Sequence, residues 1–366
     1  MKKTLMIPFP SHLARGGGVT FFIKMLSKYS TGVFDLVDLN KSKINNFQIH
    51  SNSLKIKMKR KYNYLINSKN INNADIVFFN PSLVQNAINR YIYLNKRLNH
   101  NNAVTFIHGW DLNYQKKINK SRSLKNSILK SFNKSKLIFV LANQFRKTLI
   151  NWGVNKNKIQ VTQTMVDDNL LSNFDKTDIL HKQKLDNINI LFLSRLEEVK
   201  GIYESIKAFK ILTQKYDNLH LHIAGTGKEE GTVENICKDI DNITYHGFVQ
   251  GDNKKNLFAK SNIYLLPTNH GEGCPISLLE AISFGIPSIT TPVGGIKDFF
   301  IDNKMGEIID DNSPDKIIQA IDNLLSDKDK LKEISLFNYN YGQENFMASE
   351  VVREIENSIM DSIDAK

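Results

Sequence analysis

The stretch Asn262–Gly295 constrains the fold more than any other part of this chain. Asn262-Ile263-Tyr264-Leu265-Leu266-Pro267 is apolar without alternation, as a strand covered on both faces of a parallel sheet requires. Gly271 and Gly273 then open a loop, Thr268-Asn269-His270-Gly271-Glu272-Gly273-Cys274, and Pro275 stands where the first helical residue is expected. A helix starting there points backbone N–H groups at whatever lies above the strand, which favours a phosphate or another polar ligand. Two carboxylates are oddly placed. Glu272 is in the loop, and Glu280 interrupts an apolar helix of Leu278, Leu279, Ala281 and Ile282. A carboxylate in such a setting needs partners, and sugar hydroxyls would supply them.

The same strand–turn–helix rhythm recurs along the chain, as parallel α/β units dictate. Thr4–Phe9 reads as a first strand, followed by Ser11-His12-Leu13-Ala14-Arg15-Gly16-Gly17-Gly18-Val19 and a helix through Leu26. The glycines let a backbone approach a ligand closely. They are not the dinucleotide fingerprint, whose third glycine would fall at Phe21. Val33–Leu39, Ala74–Asn80, Ala103–Ile107, Lys136–Ala142 and Lys158–Thr162 read as further strands, with helices over Leu83–Leu98 and from Asn143, the latter closed by Trp152-Gly153-Val154. His108 follows the strand Ala103–Ile107, the end at which α/β proteins bind ligands; a hydrogen-bonded loop histidine would look the same. Residues 168–186 are polar and read as a linker. Ile188–Leu193 opens a second series. In the turn after it, Arg195 and Lys200 stand five positions apart and can converge on a diphosphate. Leu219–Ala224 ends in Gly225-Thr226-Gly227-Lys228-Glu229, which is no P-loop, since His222 stands at its first glycine and Glu229 follows its lysine. Pro314–Leu325 and the segment from about Phe337 to Ile363 read as helices.

Glu272-Gly273-Cys274-Pro275-Ile276-Ser277-Leu278-Leu279-Glu280-Ala281, with Ser283-Phe284-Gly285-Ile286-Pro287 and Val293-Gly294-Gly295 after it, resembles the E-x7-E signature of retaining glycosyltransferases of the GT-B fold, in particular glycosyltransferase family 4. The resemblance is specific over 188–300 and general over 1–166. It implies an α/β protein of two Rossmann-like domains facing across a cleft. The N-terminal, acceptor-side domain would be 1–167, the linker 168–186 and the nucleotide-sugar domain 187–340. A C-terminal helix, 341–366, would cross back to the first domain. It implies transfer of a hexose or N-acetylhexosamine from a nucleotide-diphosphate sugar, with UDP the first candidate base, to a hydroxyl of a glycan acceptor. Surface polysaccharide synthesis is the expected setting. In catalysis it casts Arg195 and Lys200 on the leaving diphosphate, and Glu272 and His108 on the sugar. In donor binding it casts Gly17, Gly18, Gly225, Gly227, Phe248, Gly273, Cys274, Pro275, Ile276 and Ser277, with Glu280 on the ribose. Two departures stand out. Gln163-Thr164-Met165-Val166-Asp167 replaces the family's usual Pro-Asn-Gly-Val-Asp, and Asp298 stands where the family usually has Glu. A GT-B sugar-nucleotide epimerase and a non-catalytic GT-B subunit are the alternatives. No cofactor and no metal are expected, because Asp239-Ile240-Asp241 precedes a strand instead of ending one. No pair of carboxylates is set up as the acid and nucleophile of a retaining hydrolase.

Length and charge set the outer bounds. The 366 residues suit two domains. No run reaches the roughly 18 apolar residues of a membrane span, and Met1–Pro8 is too short and too early broken for a secretory signal. A cytoplasmic protein is expected, and Cys237 and Cys274 suit a reducing compartment. The net charge of +12 is uneven: residues 1–180 hold 29 Lys and Arg against 8 Asp and no Glu, or +21, and the remainder carries −9. A basic first half suits an acceptor bearing phosphates or the anionic inner face of a membrane; a Lys-, Asn- and Ile-rich genome would produce part of the same bias. No motif supports nucleic-acid binding. Leu54–Tyr62 alternates apolar and basic residues and fits either a solvated edge strand or an anion-facing patch. Ser121–Ser135 is a basic amphipathic stretch with Leu124, Ile128, Leu129 and Phe132 on one side. It fits either a surface helix or one lying on an anionic membrane.

Overall fold

The computed structural model describes residues 2–7, 18–38, 71, 73–97, 102–182 and 186–364. The loop Ser11–Gly17, the basic stretch Leu54–Tyr62 and the terminal residues Pro8, Phe9, Leu39 and Leu98 of expected elements lie outside the described residues. The chain divides into two units, Met1–Gln163 with Ala348–Lys366, and Thr164–Met347.

The first unit is built on a six-stranded parallel sheet: β1 (Lys3–Ile7), β2 (Phe34–Asp38), β3 (Ile76–Phe79), β4 (Ala103–Ile107), β5 (Ser135–Val140) and β6 (Ile159–Val161), in the order β2-β1-β3-β4-β5-β6. Every residue of β3 and β4 is buried, and all are apolar but Thr105, whose hydroxyl lies 3.1 Å from Tyr91 OH and 2.8 Å from Ser135 Oγ. Helices Gly18–Tyr29, Gln85–Arg97, Leu112–Lys120, Arg122–Asn133 and Asn143–Trp152 connect the strands. Their boundaries follow local chemistry. Asp111 caps its helix by accepting from Asn113 N at 2.8 Å and Tyr114 N at 3.0 Å. Gly153, at φ 105°, ends another: its N–H donates to Ile150 O at 2.9 Å, and Val154 N donates to Leu149 O at 3.0 Å. Helix Ala348–Asp364 belongs to this unit. Its buried Glu356 accepts from Ser30 Oγ at 2.6 Å, Thr31 N at 3.0 Å and Thr31 Oγ1 at 2.6 Å.

The second unit carries a second six-stranded parallel sheet: β7 (Ile188–Leu193), β8 (Leu219–Ala224), β9 (Ile243–Tyr245), β10 (Ile263–Leu266), β11 (Ser288–Thr290) and β12 (Gly306–Ile308), in the order β12-β11-β10-β7-β8-β9. Helices Ile202–Leu212, Glu230–Lys238, Gly251–Lys260, Ile276–Ser283, Pro314–Ser326 and Lys328–Asn345 surround it. The polar stretch after residue 167 is packed here: it forms a turn at Asp168–Leu171 and a helix at Lys176–Lys182, and it buries Leu171, Phe174 and Ile179. Phe174 lies 4.7 Å from Phe284, ring centre to ring centre. The C-terminal helical segment is two helices, not one. Between Asn345 and Ala348 the backbone turns to pair with Val166, whose N–H donates to Phe346 O at 2.8 Å. That exchange outweighs helix continuity because the Phe346 side chain is fully buried at the break.

Candidate active site

In the second unit β7 and β10 are neighbours, but the chain leaves them in opposite directions: β7 leads to β8 and β9, and β10 to β11 and β12. At such a switch point the two outgoing loops part, and a crevice opens at the carboxyl ends of the strands. The loops here are Ser194–Gly201 and Pro267–Pro275. Their backbones interlock. Asn269 N donates to Val199 O at 2.8 Å, and Gly295 N donates to Glu272 O at 2.9 Å. On the other side Leu196 N donates to Thr226 O at 3.0 Å. Gly225 and Gly294 have positive φ, and a Cβ on either would fall inside the carbonyl oxygen of Ser194 or Glu272 respectively. Glycine is therefore what lets the turns after β8 and β11 press against the two loops.

Lys200 and Glu272 meet in this crevice. Lys200 Nζ pairs with Glu272 Oε1, and the lysine is only 4% exposed. The Thr268 hydroxyl lies 3.3 Å from the same carboxylate oxygen and 3.2 Å from Val199 O. His270 is fixed by its N–H, which donates to Thr268 Oγ1 at 3.1 Å. Burial, then the charges of Lys200 and Arg195, hold its imidazole below the usual histidine range. Arg195 does not join Lys200; its exposed guanidinium pairs with Glu197 on its own turn. Glu272 is thus partnered by a protein cation, which the sequence reading, naming sugar hydroxyls, did not anticipate. Sequence reasoning missed Thr268 and His270 as neighbours of Glu272. Their position beside it in the loop was the available signal.

Glu280 lies about one turn into helix Ile276–Ser283 and is 1% exposed. Its Oε1 accepts from Lys254 Nζ at 2.6 Å, and its Oε2 has no hydrogen-bond partner. Burial pushes its carboxyl up, Lys254 pulls it down, and Asp167 adds to the rise. Pro275 is the cap of this helix and not its first turn, and no side chain caps it. Ser277 faces inward, its Oγ 2.7 Å from the buried phenol of Tyr264, which donates to Leu193 O at 2.9 Å. Burial pushes the Cys274 thiol up to about 12, so it stays protonated and unreactive at neutral pH. Gly273 and Ile276 are half-buried beside it.

The turns after β8 and β9 adjoin. Gly225 N donates to Gly247 O at 2.8 Å, and Tyr245 OH donates to Gly225 O at 3.0 Å. Gly227 packs on the backbone of Leu196. Phe248 stands 63% exposed at the tip, a free aromatic face. Asp239 and Asp241 lie before β9, at the amino edge of the sheet and away from these loops. Among the described residues no group of His, Cys, Asp and Glu is placed to hold a metal ion.

In the first unit His108 follows β4. Its Nε2 lies 3.0 Å from Asn80 Oδ1, and its ring packs on Phe106 and Phe22 at 4.2 Å and 4.7 Å between centres. Burial lowers its pKa to about 3, so it is neutral, with Nε2–H donating to Asn80. Gly18 begins helix Gly18–Tyr29 and is exposed; Gly17 lies outside the described residues.

Comparison with known proteins agrees with this layout. A protein of Staphylococcus aureus, the capsular polysaccharide biosynthesis glycosyltransferase CapM, is 28% identical over 243 residues, 64% of this chain and 58% of CapM. An uncharacterized glycosyltransferase of Haemophilus influenzae is 27% identical over 189 residues, 49% of this chain and 53% of that protein. The chain therefore spans little more than half the length of these relatives. The solved structure of Anabaena HepE in complex with UDP and glucose superposes with a TM-score of 0.72 at 15% identity, covering 98% of this chain and 100% of HepE. That likeness shows the fold: the two parallel-sheet units are those of a GT-B protein. Residues 174–340 match the family of group 1 glycosyl transferases. That matching segment holds Arg195, Lys200, Glu272 and Glu280, the charged groups of the crevice described above.

Proposed function

We propose that this protein is a retaining glycosyltransferase of family 4 that moves a hexose or N-acetylhexosamine from a nucleotide-diphosphate sugar to a hydroxyl of a glycan acceptor. UDP is the favoured base, and surface polysaccharide synthesis the favoured setting. The pairing of Lys200 with Glu272 at the switch point between β7 and β10 carries the reading. Glu272 occupies one of the three donors of the lysine, leaving two for diphosphate oxygens. Arg195, exposed on the same loop, adds a second cation. In the proposed step the bond from the anomeric carbon to the phosphate oxygen breaks as the bond to the acceptor oxygen forms on the same face. The acceptor proton passes to the departing phosphate oxygen. Stabilising the charge that grows on that oxygen is the main task of the protein. Glu272 orients the sugar together with the backbone at Gly273–Ile276, Glu280 takes the ribose and Phe248 borders the base. The two cations do the work a metal would otherwise do, so no metal is required. CapM is named for capsular polysaccharide biosynthesis, and HepE was solved with UDP and glucose; both support the choice of acceptor and base.

A thermal-shift screen against UDP, GDP, ADP and their common sugars tests this, since a ligand of the folded state alone must raise the melting temperature. One nucleotide is expected to raise it in the presence of EDTA, and Glu280→Ala is expected to abolish the rise. No shift with any nucleotide would sink the reading.

The first unit is proposed to touch an anionic membrane surface peripherally. From Leu112 to Val166 the chain holds 12 Lys and Arg and no Asp or Glu. Helix Arg122–Asn133 spends its apolar side on the core, where Ile128 and Phe132 are buried. Its outer side forms a shallow groove of 550 Å³ lined by Lys96, Arg122, Ser123, Asn126, Ser127 and Lys130. Contact is therefore electrostatic, worth about 1 kcal/mol per cation near the surface and screened by salt. In a flotation assay the protein is expected to rise with vesicles containing phosphatidylglycerol at low salt. It should not rise with phosphatidylcholine alone, and Arg122→Glu with Lys130→Glu should weaken binding. Equal flotation of the double variant would rule this face out.

A further inference from the structure

Lys254 belongs to no element expected at the site, yet it ends there. It lies in helix Gly251–Lys260, and its side chain is 20% exposed against 2% for Glu280. Its ammonium lies 5.9 Å from the ring centre of Phe258, and Phe258 stacks on Phe284 at 5.3 Å, just beyond the helix that carries Glu280. The lysine thus crosses a fixed aromatic surface and reaches Glu280 Oε1 at 2.6 Å. The second carboxylate oxygen is buried and unpartnered. An unsatisfied buried acceptor costs about 1–3 kcal/mol, and a donor brought by a ligand would remove that cost. A ribose offers two adjacent hydroxyl donors.

We propose that Lys254 is a positioning residue of the nucleotide site: it holds one oxygen of Glu280 so that the other is left to receive the ribose hydroxyls. The inference rests on the proposed function, in which Glu280 binds the ribose. The titratable groups facing Glu280 are Lys254, Asp167 and the buried phenol of Tyr264. Lys254 is the cation among them. Burial and Asp167 both favour a protonated Glu280, and Lys254 opposes them. Without the lysine nothing opposes burial and Asp167, and the balance moves further toward the protonated carboxyl. A ribose then meets a weaker acceptor, the more so the lower the pH.

Calorimetric titration with UDP, GDP and ADP, and with the 2′,3′-dideoxy form of whichever binds, tests this between pH 6 and 9. The wild type is expected to prefer the ribose form by about tenfold, as loss of hydrogen bonds to a charged group implies, at every pH. Lys254→Met should reduce that preference, most at the lowest pH. Lys254→Arg should restore it, and Lys254→Met should add nothing to Glu280→Gln. Lys254→Gln, a milder change, makes the same comparison if the methionine variant does not fold. An undiminished preference in Lys254→Met or Lys254→Gln at pH 7 would overturn the role of Lys254 while leaving the proposed function intact. A wild type that binds none of the three diphosphates would overturn both, and it shows in the unmutated protein.

Discussion

Replacing Lys200 by alanine is expected to lower kcat/KM for sugar transfer by about 10²–10³-fold, the usual loss when one charge-stabilising donor is removed. It is also expected to cost about 3 kcal/mol of folding stability, because Glu272 is left as a buried charge without its partner. The two effects separate. Lys200→Met combined with Glu272→Gln removes both charges, so urea denaturation should show most of the stability regained, while transfer stays lost. Activity within threefold of wild type in Lys200→Ala would mean that the diphosphate departs without this lysine. The prediction is large because Lys200 is 4% exposed and water cannot replace it. Arg195 is exposed and pairs only with Glu197 on its own turn, so its removal should cost less.

Acid should destabilise both units through histidines held below their usual range, with His108 and His222 the most displaced. His108 in the first and His222 in the second are held to about 3, below the unfolded value near 6.5. Burial dominates in both. Around His222, Lys260, His220 and His246 add to it. The His222 hydrogen bonds explain why it resists a proton: Nε2 lies 3.0 Å from Asn189 Oδ1 and donates to it, and Nδ1 accepts from His246 Nε2 at 3.1 Å. A second ring proton would break the bond to His246. Because the folded pKa is depressed, the unfolded chain binds more protons below pH 6.5. The stability is therefore complete above that pH and falls as the pH drops toward 3. Each histidine should cost about 2 kcal/mol at pH 5. Urea midpoints at pH 7.5 and 5.0 measure this. His222→Gln should lose less between the two pH values than the wild type, whatever its stability at pH 7.5. A wild-type midpoint that does not move would refute the effect.

Much of this protein was readable before any coordinates. The apolar runs of β3 and β10 announce covered parallel sheets, because a strand buried on both faces has no polar side to alternate with. Gly153 marks its helix end because few other residues accept its backbone angles cheaply. Lys200, Glu272 and Glu280 stood out as charges set among turns and apolar neighbours. Other features were not readable. The stretch after residue 167 looks solvated, because its buried residues Leu171, Phe174 and Ile179 are isolated among Asp and Lys and form no periodic stripe. The break at Phe346 depends on a backbone bond to Val166, and no local signal carries it.

The sequence alone determined the strand–turn–helix order, the identity of the charged groups at the strand ends and the family they resemble, because these are properties of neighbours along the chain. Only the tertiary structure decided which charge meets which. Lys200 and Glu272 are 72 residues apart, and Lys254 and Glu280 are 26 apart. Their pairing follows from sheet order and from side chains crossing between separate elements. The same holds for Arg195, which sits beside Lys200 in the turn yet turns outward to Glu197. A charge in a sequence shows what could be paired; burial and the reach of each side chain select the partner.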